Sequence, residues 1–408
     1  MTSKSTKILL AMMVYVCWET IKVTCNDGMA MNIDCDEFGE KEKRKQECHA
    51  QQFLKLARKG KFSDVQHKLR KDSVNKNILL SYTEKSGLYK GFTALLWAAH
   101  NNDTKMVDHL LDEGSVVSHA SNFGYTALYY MAQHGNNGAV ETLLGQGAKV
   151  NLALNNGWTP LLIATEKGYT PIVKALLAKG ANPNVKTYET GISPILLAAE
   201  DGNTEIVKLL LSNGADPNTK SETRGFFPLY FAAKMGNDVM LKLLLDAKAD
   251  VRFQTLNNET ALIAATAWDR QSIVKALLNA SADPNVVDIL KTGALHRAAY
   301  YGYTNILKQL VEKKADVNAR NAEERTPLHF CAKGAQADTL AELIKSCPDE
   351  TFKDKNGETA LDLARNEEAN LLRKIVKTRR THSLIQRLQT FIPKLSAYTK
   401  ATCGRNGR

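Results

Sequence analysis

The amino-acid sequence predicts an all-α solenoid of stacked helix pairs. Nine copies of one unit stand in step, at spacings of 33 or 34 residues. The clearest copies carry two helical apolar stripes with a glycine between them, so the 3.6-residue period restarts within each unit. The composition, 44% hydrophobic and 24% charged over 408 residues, is that of a folded chain and excludes wholesale disorder.

Residues 1–30 read as a secretory signal region. Lys4 and Lys7 precede an unbroken apolar run from Ile8 to Trp18, and Glu19 stops it, the charge, core and stop order of a signal peptide. Eleven apolar residues span only about 16 Å as a helix, half of a hydrocarbon core. The alternative is an amphipathic or buried N-terminal helix. A charged linker, 31–46, follows. Of seven cysteines, Cys25, Cys35 and Cys48 cluster ahead of the repeats; a Cys35–Cys48 bridge is permitted, and the set is too sparse for a disulfide scaffold. Asn102, Asn258 and Asn279 open glycosylation triplets.

The array is expected over 47–376. A degenerate first copy is readable at Gln51–Leu69, with Phe53, Leu56, Ala57 and Gly60 in register, and a long loop is expected at 78–90. The nine regular copies open at Thr93, Thr126, Thr159, Ser193, Phe227, Thr260, Gly293, Thr326 and Thr359. In the Thr159 copy the threonine hydroxyl can cap a helix, and Pro160 needs no amide hydrogen there. Leu161 and Ala164 face a neighbour, Gly168 breaks the chain, and Ile172, Val173, Leu176 and Leu177 mark a second helix. Gly180 stops it, and Asn182 to Asn184 opens a turn.

This unit resembles the ankyrin repeat, whose period of about 33 residues and Thr-Pro-Leu-His signature it follows; Thr326 to His329 matches all four signature positions. The resemblance covers ten repeats and implies an ankyrin-repeat solenoid with hairpin fingers along a concave side. It also implies which slots line that side: the residue before each threonine, and the pair before the inter-helix glycine. The first slot holds Phe92, Tyr125, Trp158, Ile192 and Phe226, then switches to Glu259. The others hold His100, His134, Lys167, Lys234, Met235, Trp268, Tyr300 and Tyr301. Large rings at such positions suit a protein-binding surface, and their alternative role is to pack on neighbouring fingers and stiffen the array.

No phosphate loop, nucleotide fingerprint, GxSxG, HExxH or calcium loop occurs. No enzyme activity, metal or cofactor is therefore expected. His329 and Cys331 fall in signature and small core slots, where the repeat already explains them.

The net charge of +11 is concentrated at one end. Ten basic residues and no acid lie between Arg373 and Arg408, leaving +1 for the rest, which argues against a surface built for nucleic acid. In the tail, 377–408, Leu384, Ile385, Leu388, Phe391, Ile392 and Leu395 keep helical spacing. Packing on the last repeat, a flexible tail, and contact with an acidic membrane or partner all stay open. Lys41-Glu42-Lys43-Arg44 and Lys377-Thr378-Arg379-Arg380 look like proprotein-convertase sites, against solvated charge as the alternative. A secreted array trimmed at both ends is similar to the latrotoxins, although the large helical region that precedes their array has no room here. The expectation is a secreted, monomeric, non-enzymatic module gripping a protein partner; the alternatives are a cytoplasmic scaffold and a toxin-like membrane-active protein.

Overall fold

The structure, a computed structural model, describes residues 42–71, 76–364, 369–370, 372–374 and 377. The signal region, Cys25, Cys35 and the tail stripe at 384–395 lie outside the described residues, as do parts of both basic stretches. Within the described residues the chain is an all-α solenoid. Helices α1 (Glu42–Arg58) and α2 (Phe62–Lys71) form the first pair. The loop expected at 78–90 begins later than its sequence suggested. Helix α3 (Lys76–Ser81) occupies its first residues and packs on α1, because Leu79 and Leu80 are both buried.

Eight further pairs follow, with inner helices opening at Ala94, Ala127, Pro160, Pro194, Pro228, Ala261, Ala294 and Pro327, and a short inner helix at Ala360–Leu363. Local chemistry sets each start. The hydroxyls of Thr93, Thr126, Thr159 and Thr260 accept the backbone N–H three residues on at 3.1–3.3 Å. Each satisfies one of the donors that a helix N-terminus leaves orphaned. Pairs such as Ala98 and Ala99, Ala198 and Ala199, or Ala298 and Ala299 are 0–1% exposed, so their small side chains let adjacent inner helices close on one another. The outer helices bury Ile172, Val173, Leu176 and their equivalents completely. Every substantial helix packing joins a unit to itself or to the next one along.

Two hydrogen-bonded ladders tie the units on the finger side. At the fingertips one backbone N–H per finger donates to the preceding finger: Asn122 to Lys90, Asn155 to Phe123, Tyr188 to Asn156 and Leu256 to Arg224, at 3.0–3.1 Å. The row continues through Ile289 to Asn257 and Lys355 to Glu323. Such close approach excludes a side chain at Gly124, where a Cβ would stand 2.5 Å from the Ala153 carbonyl oxygen and φ is +86°.

The second ladder uses the last asparagine of the turn motif. Asn184 accepts from Asp216 N–H at 2.8 Å and donates to Gly214 O at 2.9 Å, and Asn218 does the same to Asp250 and Lys248. Asn151 and Asn285 repeat the pattern. Arg252 fills this slot once and folds back on its own Asp250 instead. Removing the bridge in Asn218→Ala is expected to cost about 0.5–1.5 kcal/mol, the net contribution of solvent-accessible hydrogen bonds. Arg252→Asn is expected to raise the Tm by adding a bridge toward Ser281 and Asp283. Thermal melts by circular dichroism check both, and an unchanged or lower Tm for Arg252→Asn would contradict the assigned role.

Candidate protein-binding face

The slot before each cap does not behave uniformly. Phe92, expected among the binding residues, is 1% exposed and belongs to the core. The loop after α3 folds over it and brings the Tyr89 ring to 5.1 Å, while Trp97 and Tyr130 close in at 5.0 and 5.9 Å. Tyr125, Trp158, Ile192 and Phe226 are half-buried, and the Tyr125, Trp158 and Phe226 rings pack against the core. His100 and Lys234 are half-buried as well; His134 and Lys167 are exposed. Trp268, Tyr300 and Tyr301 are the most open, at 53%, 41% and 50%.

These residues assemble into two chemistries along the inner face. The N-terminal half is aromatic. Tyr125 stacks on Tyr130 at 5.1 Å and 14°, Tyr129 meets Tyr125 edge-on, and His100 meets Tyr130 at 5.2 Å. The Arg58 guanidinium lies 5.0 Å over Trp97 and 5.8 Å over Tyr89, a cation–π clamp from α1 onto the cluster. Burial pushes the Tyr129 and Tyr130 hydroxyls well above the ordinary phenol range. Burial also lowers His100, despite its hydrogen bond to Asn101. The half is thus mostly apolar, with the Arg58 guanidinium as the cation held against its rings.

The C-terminal half is ionic, and the change falls where the slot turns to Glu259. Phe226 still stacks on Tyr230 at 5.0 Å, but the Tyr230 hydroxyl donates to Glu259 at 3.1 Å. Arg297 then bridges Glu259 and Asp288, at 2.9 Å to each. One unit further, Arg325 pairs with Asp354 at 3.0 Å.

Sequence reasoning missed two features. Tyr89, Tyr129, Tyr130, Tyr230 and Phe231 were indistinguishable from ordinary core residues, although they support the half-buried rings. The fingertips also carry exposed apolar residues, Phe123 at 43%, Tyr188 at 71% and Leu256 at 64%. The available signal was an apolar residue inside an otherwise polar turn, as in Asn122-Phe123-Gly124.

His296 and His329 serve the fold. Each ring accepts through Nδ1 from the backbone N–H at its helix cap, Gly293 and Thr326, at 3.2 Å. Nε2–H donates to the next unit, toward Ala319 O at 3.0 Å for His296 and Glu358 O at 3.2 Å for His329. Burial lowers both rings from the ordinary histidine range, and it raises the Cys331 thiol to about 12. Among the described residues no group of three His, Cys, Asp or Glu is placed to hold a metal.

Because the native rings resist protonation, the unfolded chain binds protons first as pH falls through 6.5. Stability is therefore present above that value and declines below it. The Tm is expected to drop between pH 7 and 5, and to drop less steeply in His296→Gln/His329→Gln. Parallel slopes for the two proteins would contradict this assignment.

A stack of capped helix pairs, bridged at its turns and presenting a broad inner face, defines a repeat protein of the solenoid class. The family model for ankyrin repeats matches residues 56–153, 95–187, 195–288 and 295–381. The chain belongs to the ankyrin-repeat family. No curated protein matches the sequence significantly.

Proposed function

We propose that this array is a secreted, non-enzymatic recognition module that grips a partner protein through its concave face. Ankyrin repeats are protein–protein interaction modules as a class, and the fold alone does not say what is bound. One observation carries the reading: Tyr125, Trp158 and Phe226 are packed against the core and only half-buried. Rings held this way contribute contact area without a large ordering cost on association. Exposed His134 and Lys167 border them and would tune charge fit. Neither a cofactor nor nucleic acid enters this reading, and the module acts as a monomer.

Three features support an extracellular site of action. The leader pattern at Ile8–Trp18 is one. The acceptor asparagines of the glycosylation triplets, Asn102, Asn258 and Asn279, are exposed. Cys48 is disulfide-bonded, which suits an oxidising compartment.

A photo-crosslinking residue placed at His134 is expected to capture partner protein on the surface of, or in medium from, cells expressing the chain. The same residue at exposed Lys242 on an outer helix is expected to capture little. Equal capture from both positions, or capture from Lys242 alone, would move the binding site off the concave face. N-terminal sequencing of chain from the medium is expected to start near Asn26 or Met31. Uncleaved Met1 confined to the cytosol would contradict secretion.

A further inference from the structure

The fingertip slot two residues before each cap takes a left-handed backbone in every regular copy. Glycine fills it in six of them: Gly91, Gly124, Gly157, Gly191, Gly225 and Gly357. Asn258 fills it at φ +58°, Lys291 at +54° and Glu324 at +60°. Asparagine tolerates this conformation better than most residues, but Lys291 and Glu324 show that the slot does not demand it. Asn258 is exposed, and among the described residues its side-chain amide has no hydrogen-bond partner. Asn102, by contrast, accepts from Asn136 Nδ2 at 3.1 Å. Asn258-Glu259-Thr260 is an acceptor triplet for N-linked sugar, and its amide nitrogen is committed to nothing else.

The surroundings of Asn258 are apolar. Its N–H closes the turn by donating to Thr255 O at 3.0 Å, which leaves Leu256 and Asn257 at the tip. Leu256 is 64% exposed, and the next finger brings Ile289 and Leu290, at 59% and 61%. The two tips touch, because Ile289 N–H donates to Asn257 O at 3.1 Å. Three large aliphatic side chains therefore stand in water on adjoining tips, within one rung of the acceptor asparagine. A single exposed leucine needs no explanation, whereas a contiguous group marks a surface that something covers.

We propose that Asn258 carries an N-linked glycan in the mature protein, and that its first sugars lie over Leu256, Ile289 and Leu290. The bond formed joins Asn258 Nδ2 to C1 of the first N-acetylglucosamine. The donor is a lipid-linked oligosaccharide: its C1–O bond to pyrophosphate breaks, the pyrophosphate leaves with that electron pair, and Nδ2 gives up one of its two protons. The C–H face of the sugar and its N-acetyl methyl are apolar, so laying them on the three side chains removes both from water. Asn258 supplies the covalent anchor, and the paired fingertips supply the bed.

Transfer precedes the folding of this unit. Thr260, whose hydroxyl completes the acceptor triplet, is 3% exposed, and its oxygen accepts from Ile263 N–H at 3.2 Å to cap the inner helix. The folded cap is closed to a transferase, so the triplet is open only while the chain is still extended. Once folded, the sugar stands one residue ahead of Glu259, where the concave face turns from aromatic to ionic. It shields the tips there and leaves Trp158, three fingers away, clear for a partner.

This inference rests on the chain being secreted, and the experiment separates the two. Full-length protein from the medium of eukaryotic cells is treated with peptide-N-glycosidase in heavy-oxygen water, which turns a glycosylated asparagine into labelled aspartate. Trypsin then releases Phe253–Arg270, and mass spectrometry is expected to find the label at Asn258 in most of that peptide. Asn258→Gly installs the residue that six other fingers hold in this slot, so the acceptor is lost while the turn is kept. Hydroxyl-radical footprinting is expected to oxidise Leu256, Ile289 and Leu290 several-fold faster in this variant, with Tyr188 unchanged. Secreted protein with unlabelled Asn258 would overturn the proposal and leave secretion standing. Equal oxidation of the tips in both proteins would overturn it as well, and a chain confined to the cytosol would sink both readings together.

Discussion

The structure depends on one constraint: a unit of 33 residues has two apolar faces and can bury neither alone. Each inner helix shows small residues to one neighbour and aliphatic residues to the other, so burial is completed only by stacking. That explains why substantial packing never skips a unit, and why alanine pairs recur at complete burial from Ala98 and Ala99 onward. The fingertip and asparagine ladders then lock the rotation between units, since a backbone donor fits its acceptor at only one register. Rigidity of the concave face follows from these ladders.

The same constraint fixes where function can be written. Residues at the unit interfaces must stay small or aliphatic, whereas the slot before each cap and the edge between helices are free to vary. Here the variation has a direction along the chain. Rings dominate from Tyr89 to Tyr130, and ion pairs dominate from Glu259 to Asp354. The exposed row at Met235, Trp268 and Tyr301 lies on an edge where Asp238 and Asp269 are matched by Lys234 and Arg270. The aromatic half would hold a partner by contact area and the ionic half by charge, which divides affinity from orientation along one face.

Much of this was legible in the sequence because it is local. Thr159 announces its cap three residues ahead of the amide it binds, and Gly180 stops a helix that Ile172 and Leu176 have already defined. What was not legible depends on where distant segments meet. Phe92 shares its slot with Tyr125, yet it is buried because the loop carrying Tyr89 folds over it, a placement that no periodicity encodes. Asn184 and Asn218 read as turn residues, and their greater contribution is to a unit 30 residues away. Helix α3 was hidden for a similar reason: its six residues are too few to show a period, and packing against α1 makes them helical.

Hydrogen exchange of a variant with a broken central interface tests the stacking account most directly. Ala199→Asp places a charge between the inner helices of the Ser193 and neighbouring units, where Ala199 is 0% exposed. Protection is expected to fall most in that unit and its two neighbours, and to persist in the Thr93 and Thr326 units. Loss confined to the altered helix pair would contradict the claim that units cannot stand alone, and uniform loss from end to end would show a single global core instead of a stack.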